Sequence, residues 1–437
     1  MRARPGDGKS PGSMHVGIDF GTSNTAVAVA DPAGGVRFLE FSLLGATTQS
    51  FRSLLHFDPE AQEVGTPIVF HAGTGAIEAY LEALGEGRLV QSFKTHLTTA
   101  SLGRTQIGHH NVSLDDMLVL FFSRLREHIE RAWGAMPEAA TLGRPVRFAG
   151  ADTEDDSAAA QQRLEAAAKR SGFGSVAFQL EPIAAAFHYE RSLSQPELAL
   201  VADFGGGTTD FCLMRLGGER GRDRRDDIVA TGGVGMAGDD LDAAIIEHVV
   251  SPQLGKGTRY REMGREKQIP SSYYYKLSRW HHLSFLRGKR VRAELERLHR
   301  AAVEPEKIEA FIHVLENNQG FHLHKAVERL KIALSSQDEA TFRFEDDPVE
   351  IETKVLRSDF ERWIEPCVEH ITSALDQTLA GTGVDAAQID RVFMTGGTAF
   401  VPCVRREFER RFGADALHGG DELMSIASGL AVASAGR

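Results

Sequence analysis

LALVADFGGGTTDFCLMRLGG (residues 198–218) is an apolar run, a glycine-rich break, and a second, alternating apolar run that stops at Gly-Gly. That pattern predicts a buried strand, a tight turn and a returning strand. The same grammar occurs earlier, in HVGIDFGTSNTAVAVADPAGG (residues 15–35), whose second run is ended by Asp31-Pro32. Each copy sets Asp-Phe-Gly at the strand end, Asp19-Phe20-Gly21 and Asp203-Phe204-Gly205, with small hydroxyl residues close behind. One copy alone reads equally well as a plain strand-ending turn. Two copies with matched flanks predict two related lobes, with a boundary near Gln195-Pro196.

A strand that ends in Asp-x-Gly and turns through Gly, Thr or Ser gathers backbone N–H groups and hydroxyls around an anionic oxygen, which makes a phosphate clamp. The carboxylate before the turn repels phosphate, so its natural partner is a hard divalent cation with bound waters. Asp19 and Asp203 are therefore expected to hold Mg²⁺ between the two turns. Protein kinases also carry Asp-Phe-Gly, but the His-Arg-Asp and Val-Ala-Ile-Lys segments that accompany it there are absent.

Composition sets the outer limits. With 437 residues the chain has room for roughly two to four domains. At 42% hydrophobic and 25% charged residues it has the make-up of a globular protein. A net charge of -12 argues against a general nucleic-acid or anionic-membrane binder. Cys212, Cys367 and Cys403 show no metal-ligand spacing and read as the reduced thiols of a cytosolic protein. Residues 1–13 read as a flexible tail without the apolar segment of a secretory signal. MLVLFF (residues 117–122) falls far short of a membrane span and reads as a short buried helix segment.

EDDSAAAQQRLEAAAKRSGF (residues 154–173) predicts a helix closed by Gly172. RVFMTGG (residues 391–397) predicts another strand running into a glycine turn, and FVPCVRREFERRFG (residues 400–413) a helix after it. GVGMAG (Gly233–Gly238) fits the dinucleotide fingerprint, but that motif normally opens the first strand-helix-strand unit. A glycine turn serving the same phosphate site is the better reading. GKS at Gly8–Ser10 mimics the end of a P-loop without its first glycine or a preceding strand. RGKRVRAELERLHR (residues 287–300) reads as a solvated basic helix face. FHLH and the pairs His109-His110 and His281-His282 lack companions at metal-ligand spacing.

In order along the chain, DFGTSN, EPIAAAFHYE, DFGGGTTD, GMAGDDLD, ERLKIALSS and MTGGTAFVP resemble the ATPase domain of heat-shock protein 70 (DnaK), in the actin and sugar-kinase superfamily. The resemblance runs from Met14 to the end, and GRPVRF and KRSGF look most like its YegD-type bacterial members. It implies a two-lobed α/β actin-like ATPase fold, built from duplicated ribonuclease H-like domains with a nucleotide cleft between them. Lobe I is expected over 14–196 and lobe II over 197–437, with a helical outer subdomain at about 250–330 and no peptide-binding domain.

The resemblance also implies the site. Gly21, Thr22 and Ser23 form the first phosphate turn, and Gly205, Gly206, Gly207 and Thr208 the second. Lys94 and Glu181 act at the γ-phosphate and the attacking water, with Thr22, Asp203 and Asp210 beside them. Glu328, Lys331 and Ser335 lie at i, i+3 and i+7, one helix face. Alone they would read as an amphipathic surface helix; within the family pattern that face bonds the ribose and adenine edge. Gly238, Asp239, Gly396, Gly397, Thr398, Phe400 and Asp421 complete the nucleotide contacts. Four positions depart from the family pattern. Ile332 and Phe400 stand where arginines usually flank the base, Asn24 replaces a usual Tyr, and Ala237 a usual Gly.

The function implied is slow Mg²⁺-dependent hydrolysis of ATP to ADP by a cytoplasmic, monomeric, chaperone-like switch. It would act on a protein partner or client, without nucleic acid or membrane. A small-molecule kinase of the sugar-kinase branch and an actin-like assembly or scaffold ATPase are the alternatives.

Overall fold

Each Asp-Phe-Gly copy sits at the bend of an antiparallel hairpin. The computed structural model describes residues 14–30, 35–58, 62, 64–83, 87–99, 104–151, 153–190, 193, 195–217, 224–279, 283–286, 288–317, 319–418 and 422–435. Strands β1 (His15–Phe20) and β2 (Asn24–Ala30) form the first hairpin; β3 is Val36–Phe38, β4 Ala139–Arg144 and β5 Ser175–Leu180. Strands β6 (Glu197–Phe204) and β7 (Thr209–Leu216) form the second; β8 is Ile228–Val234, β9 Arg391–Thr395 and β10 Leu417–His418.

The first sheet runs β5-β4-β1-β2-β3 and the second β10-β9-β6-β7-β8. In both, the hairpin's first strand is central, with two parallel neighbours on one side and two antiparallel ones on the other. The registers correspond as well, since Asp19 pairs with Ala26 and Asp203 with Asp210. This is the duplicated two-lobed α/β architecture expected of the actin-like fold.

The Phe of each Asp-Phe-Gly anchors its turn in a lobe core. Helix α1 (Leu114–Trp133) starts at a capping box in which Ser113 and Asp116 satisfy one another's backbone N–H groups, and it ends at Gly134 with φ 71. MLVLFF thus lies inside a 20-residue amphipathic helix whose buried side includes Phe121 and Phe122. Phe20 packs on Phe121 and Phe122 at 5.5 and 5.2 Å between ring centres, and Phe93 meets Phe121 at 5.7 Å. In the second lobe, Phe204 meets Phe408, on the helix Pro402–Phe412, at 5.7 Å, edge on. Each anchored ring removes about 2–3 kcal/mol worth of apolar surface from water.

Helix α2 (Glu154–Arg170) carries a Thr153–Asp156 capping box and is followed by Gly172 at φ 97. Further on lie α3 (Glu181–Glu190), α4 (Gly238–Ile245), α5 (Gly320–Ser336), α6 (Arg357–Ala380), α7 (Pro402–Phe412) and α8 (Glu422–Ala435). Chain order and lobe membership part company at two of these helices. Ile183 to Ala186 of α3 pack with Val201, Cys212 and Met214 of the second sheet, whereas Ala427 and Ala431 of α8 pack on Ala26 and Ala28 of the first.

The division at 196/197 therefore needs correction at both helices, each of which crosses to the other lobe's sheet. Small residues allow the crossing: a Cβ on Gly429 would lie 1.6 Å from the Ala184 carbonyl oxygen, and one on Gly17 2.3 Å from the Ala431 nitrogen. The region 250–330 is not wholly helical either. It includes the exposed antiparallel hairpin Arg259–Glu262/Arg265–Gln268. The basic helix Lys289–Ala301 carries the pairs Arg290–Glu294 and Arg292–Glu296 at 3.2 and 3.1 Å on its exposed side. Among the described residues no helix is long and apolar enough to cross a membrane.

Candidate active site

The two Asp-Phe-Gly turns close with the same bond. Gly21 N–H donates to the Asn24 carbonyl and Gly205 N–H to the Thr208 carbonyl, each at 2.9 Å. Glycine is needed at the first: a Cβ there would stand 2.3 Å from the Asn24 oxygen. The turns approach one another, because a Cβ on Gly206 would reach within 3.1 Å of Ser23 Oγ. Behind the first turn, Ser53 Oγ donates to the Gly21 carbonyl at 2.7 Å. Behind the second, Gly238 N–H, at the end of GVGMAG, donates to the Gly205 carbonyl at 3.4 Å and the next residue, Asp239, donates its N–H to the Gly206 carbonyl at 2.8 Å. Ala237 is extended at φ -165, a conformation open to alanine.

Between the turns lies a cleft of about 780 Å³. Asp19, Gly21, Thr22, Ser23, Lys94, Glu181, Asp203, Gly205, Gly206, Thr208, Gly238, Asp239, Glu328, Lys331, Ser335, Gly396, Gly397, Thr398 and Phe400 all line it. Gly207 and Asp210 do not; Asp210 is buried beside Asp203, across the β6/β7 ladder. Asp421 lies outside the described residues.

Lys94 reaches the cleft from a 3₁₀ turn, Phe93–His96, entered through Ser92 in a left-handed conformation at φ 57. Phe93 and Phe20 share Phe121 as their anchor, and that shared anchor brings Lys94 and Asp19 together although 75 residues (94 − 19) separate them. Lys94 Nζ donates to Glu181 Oε1 at 2.7 Å, with both side chains largely buried. Burial pulls the lysine down, but Glu181, Asp19 and Asp203 outweigh it and hold the ammonium above its usual range. The carboxyls show the opposite imbalance. Burial first, then Glu181, pushes Asp203 up to about 6, and burial with Glu181 and Asp203 pushes Asp210 up to about 8. Asp19 rises for the same reasons.

Four carboxyl groups thus face one ammonium, and all their donors are hard oxygens. A divalent, oxygen-seeking ion fits that donor set. Among the described residues no three His, Cys, Asp or Glu groups converge to ligate an ion directly.

The helix face predicted to meet the ribose and base is present but already engaged. Lys331 Nζ pairs with Asp242 Oδ1 at 2.7 Å, Glu328 accepts from Lys325 at 2.5 Å, and Ser335 Oγ donates to the Lys331 carbonyl at 3.0 Å. Ile332 and Phe400 line the cleft with 63% and 54% of their surface exposed. Asn24 Oδ1 accepts from Arg52 at 2.7 Å, and Arg52 reaches Glu328 of the other lobe at 3.8 Å. Phe321 adds an apolar contact across the cleft mouth, packing with Leu54, Ile77 and Tyr80.

Sequence reasoning missed Thr395, Asp242, Arg52 and Ser53. Thr395 had a signal, a polar residue closing the apolar run RVFM. The others become visible only when distant segments meet.

The Hsp70 protein family model matches residues 296–435, and the MreB/Mbl protein model matches residues 153–297. The chain is 24% identical over 431 residues to the chaperone protein DnaK of Elusimicrobium minutum (strain Pei191), an alignment covering 95% of this chain and 56% of that protein. These matches make the chain similar to Hsp70 proteins over its last third and to MreB/Mbl proteins over the third before it, both in keeping with the actin-like fold. It spans a little over half the length of that curated relative. The two family models meet at residues 296–297, so the Hsp70 match takes in helices α5 to α8, with ERLKIALSS and the second glycine turn, Gly396-Gly397.

Proposed function

We propose that the chain binds ATP with Mg²⁺ between its lobes and hydrolyses it slowly, as a nucleotide-driven switch with a chaperone-like role towards a protein partner or client. The observation that carries this reading is the pair of turns, closed by matching hydrogen bonds, that face each other across one cleft with Lys94–Glu181 at its floor. Phosphoryl transfer to water needs positioning and neutralisation of spreading charge, with little covalent work for the protein.

Backbone N–H groups of Gly206, Gly207 and Thr208, in the turn that the Gly205 N–H closes, would hold the phosphates with the hydroxyls of Thr22 and Ser23. Lys94 would neutralise charge at the terminal phosphate, and Glu181, fixed by that lysine, would orient the water. Asp19 and Asp203 would hold the water shell of the metal, with Asp210 behind them. Magnesium, when bound, would supply the positive charge that these carboxylates lack. Ile332 and Phe400 would stack the base between an aliphatic and an aromatic face. We place the protein in the cytoplasm as a monomer, with no nucleic-acid or membrane role.

Purified protein given ATP and Mg²⁺ should release phosphate with no acceptor present. ADP formation that requires an acceptor would favour a small-molecule kinase instead, and ATP-dependent sedimentation an assembling scaffold. Calorimetry that registers no uptake of adenine or guanine nucleotide would sink the reading.

A further inference from the structure

Thr395 has no role in the expectations drawn from the sequence. It is the last residue of β9, fully buried, and in register with Asp203 on the neighbouring parallel strand β6. Its hydroxyl donates to Asp203 Oδ1 at 2.5 Å, inside the protein and away from solvent. The backbone around this contact has little freedom. Gly396 follows at φ 84, and a Cβ there would lie 2.0 Å from the Phe204 carbonyl oxygen, so the two strand ends are pressed together where the hydrogen bond forms.

One oxygen of Asp203 is thereby committed, and the carboxylate plane can no longer spin freely about χ2. Asp19, the corresponding residue of the first lobe, is paired in register with Ala26 on β2, whose side chain has no donor to offer. We infer that Thr395 is a positioning residue, which turns Asp203 so that its second oxygen faces the cleft and the water shell of a divalent cation. This rests on the nucleotide-and-metal reading above. Partners of this outer kind orient an acidic group towards a cation, and their loss typically weakens metal binding by 10–100-fold.

Thr395→Val keeps the shape and removes the donor; Thr395→Ser keeps the donor. Titrating each protein with ADP, with Mg²⁺ and again with EDTA, separates the metal-dependent gain in affinity from nucleotide binding itself. The valine variant should bind ADP in EDTA within about twofold of wild type and lose roughly tenfold or more of the gain that Mg²⁺ confers. The serine variant should recover most of it. Thermal unfolding of all three proteins reports whether the fold survives.

A full magnesium gain in the valine variant overturns the inference. So does a serine variant as impaired as valine, because the hydroxyl would then not be what matters. Equal loss of ADP affinity with and without Mg²⁺ also overturns it, since Thr395 would then support only the strand ends. If wild type takes up no nucleotide, the functional reading falls first and this inference with it.

Discussion

The turn after β1 and the turn after β6 close the same hydrogen bond at the same length, yet they carry different charge. Where Asp203 faces Asp210 across its hairpin, Asp19 faces Ala26. The second turn has a carboxylate tied down by Thr395; the first has Lys94 carried to it on a separate segment. Duplication thus reproduced the backbone, which bends sharply at the same place in either lobe. It did not reproduce the side chains, and under the proposed reading one terminal phosphate, one water and one cation would not be symmetric about the cleft.

Removing the first lobe's distinctive charge should have the largest effect. Lys94→Ala should lower the rate of phosphate release by about 1,000-fold, roughly 4 kcal/mol, while ATP binding by calorimetry stays within a few-fold. Turnover at the wild-type rate would show that the lysine is only a structural partner of Glu181.

Making the hairpins alike should cost nearly as much. Ala26→Asp would place another carboxylate among four that already lack counter-charge, and should destabilise the protein by about 3 kcal/mol in denaturant unfolding at pH 8. The cost should shrink at pH 5, where the added group can stay protonated.

The reverse change should stabilise. Burial beside Glu181 and Asp203 holds the proton on folded Asp210 up to about pH 8, whereas an unfolded aspartate releases it near 3.8. Between those limits the native state binds more protons than the unfolded state. Stability is therefore present at low pH and lost as pH rises through that window. Asp210→Asn escapes the loss and should raise the stability of the nucleotide-free protein by about 2 kcal/mol at pH 8, with no gain below pH 4. A gain that is the same at both pH values would mean that charge is not its source.

The smallest effect tests how the lobes meet away from the turns. Phe321→Ala removes the apolar contact with Leu54, Ile77 and Tyr80 at the cleft mouth and should speed release of a fluorescent ADP about fivefold, roughly 1 kcal/mol. No change in release would leave the mouth contact without a part in closure.

Much of this molecule was legible in advance because its signals are local. Alternating apolar runs around Asp-Phe-Gly placed both hairpins, and the alanine-rich run ending at Gly172 placed a helix. The helix face of Glu328, Lys331 and Ser335 was visible in its spacing, but Asp242, which engages Lys331, was not, because the two are 89 positions (331 − 242) apart. Nothing near Glu181 or Glu422 announces that the helices they begin will exchange lobes. Alanine and glycine look like ordinary helix formers and breakers until another backbone lies within contact of them.

By itself the amino-acid order determined the doubled turn, the two glycine-limited bends and the residue types at the cleft, since these depend on backbone sterics and on chemistry within a few positions. Tertiary structure alone decided that Phe20 and Phe93 share Phe121, that Lys94 lies against Glu181, and that Thr395 holds Asp203. Those contacts come from packing between segments far apart in the chain, where burial and strand register, rather than local preference, choose the neighbour.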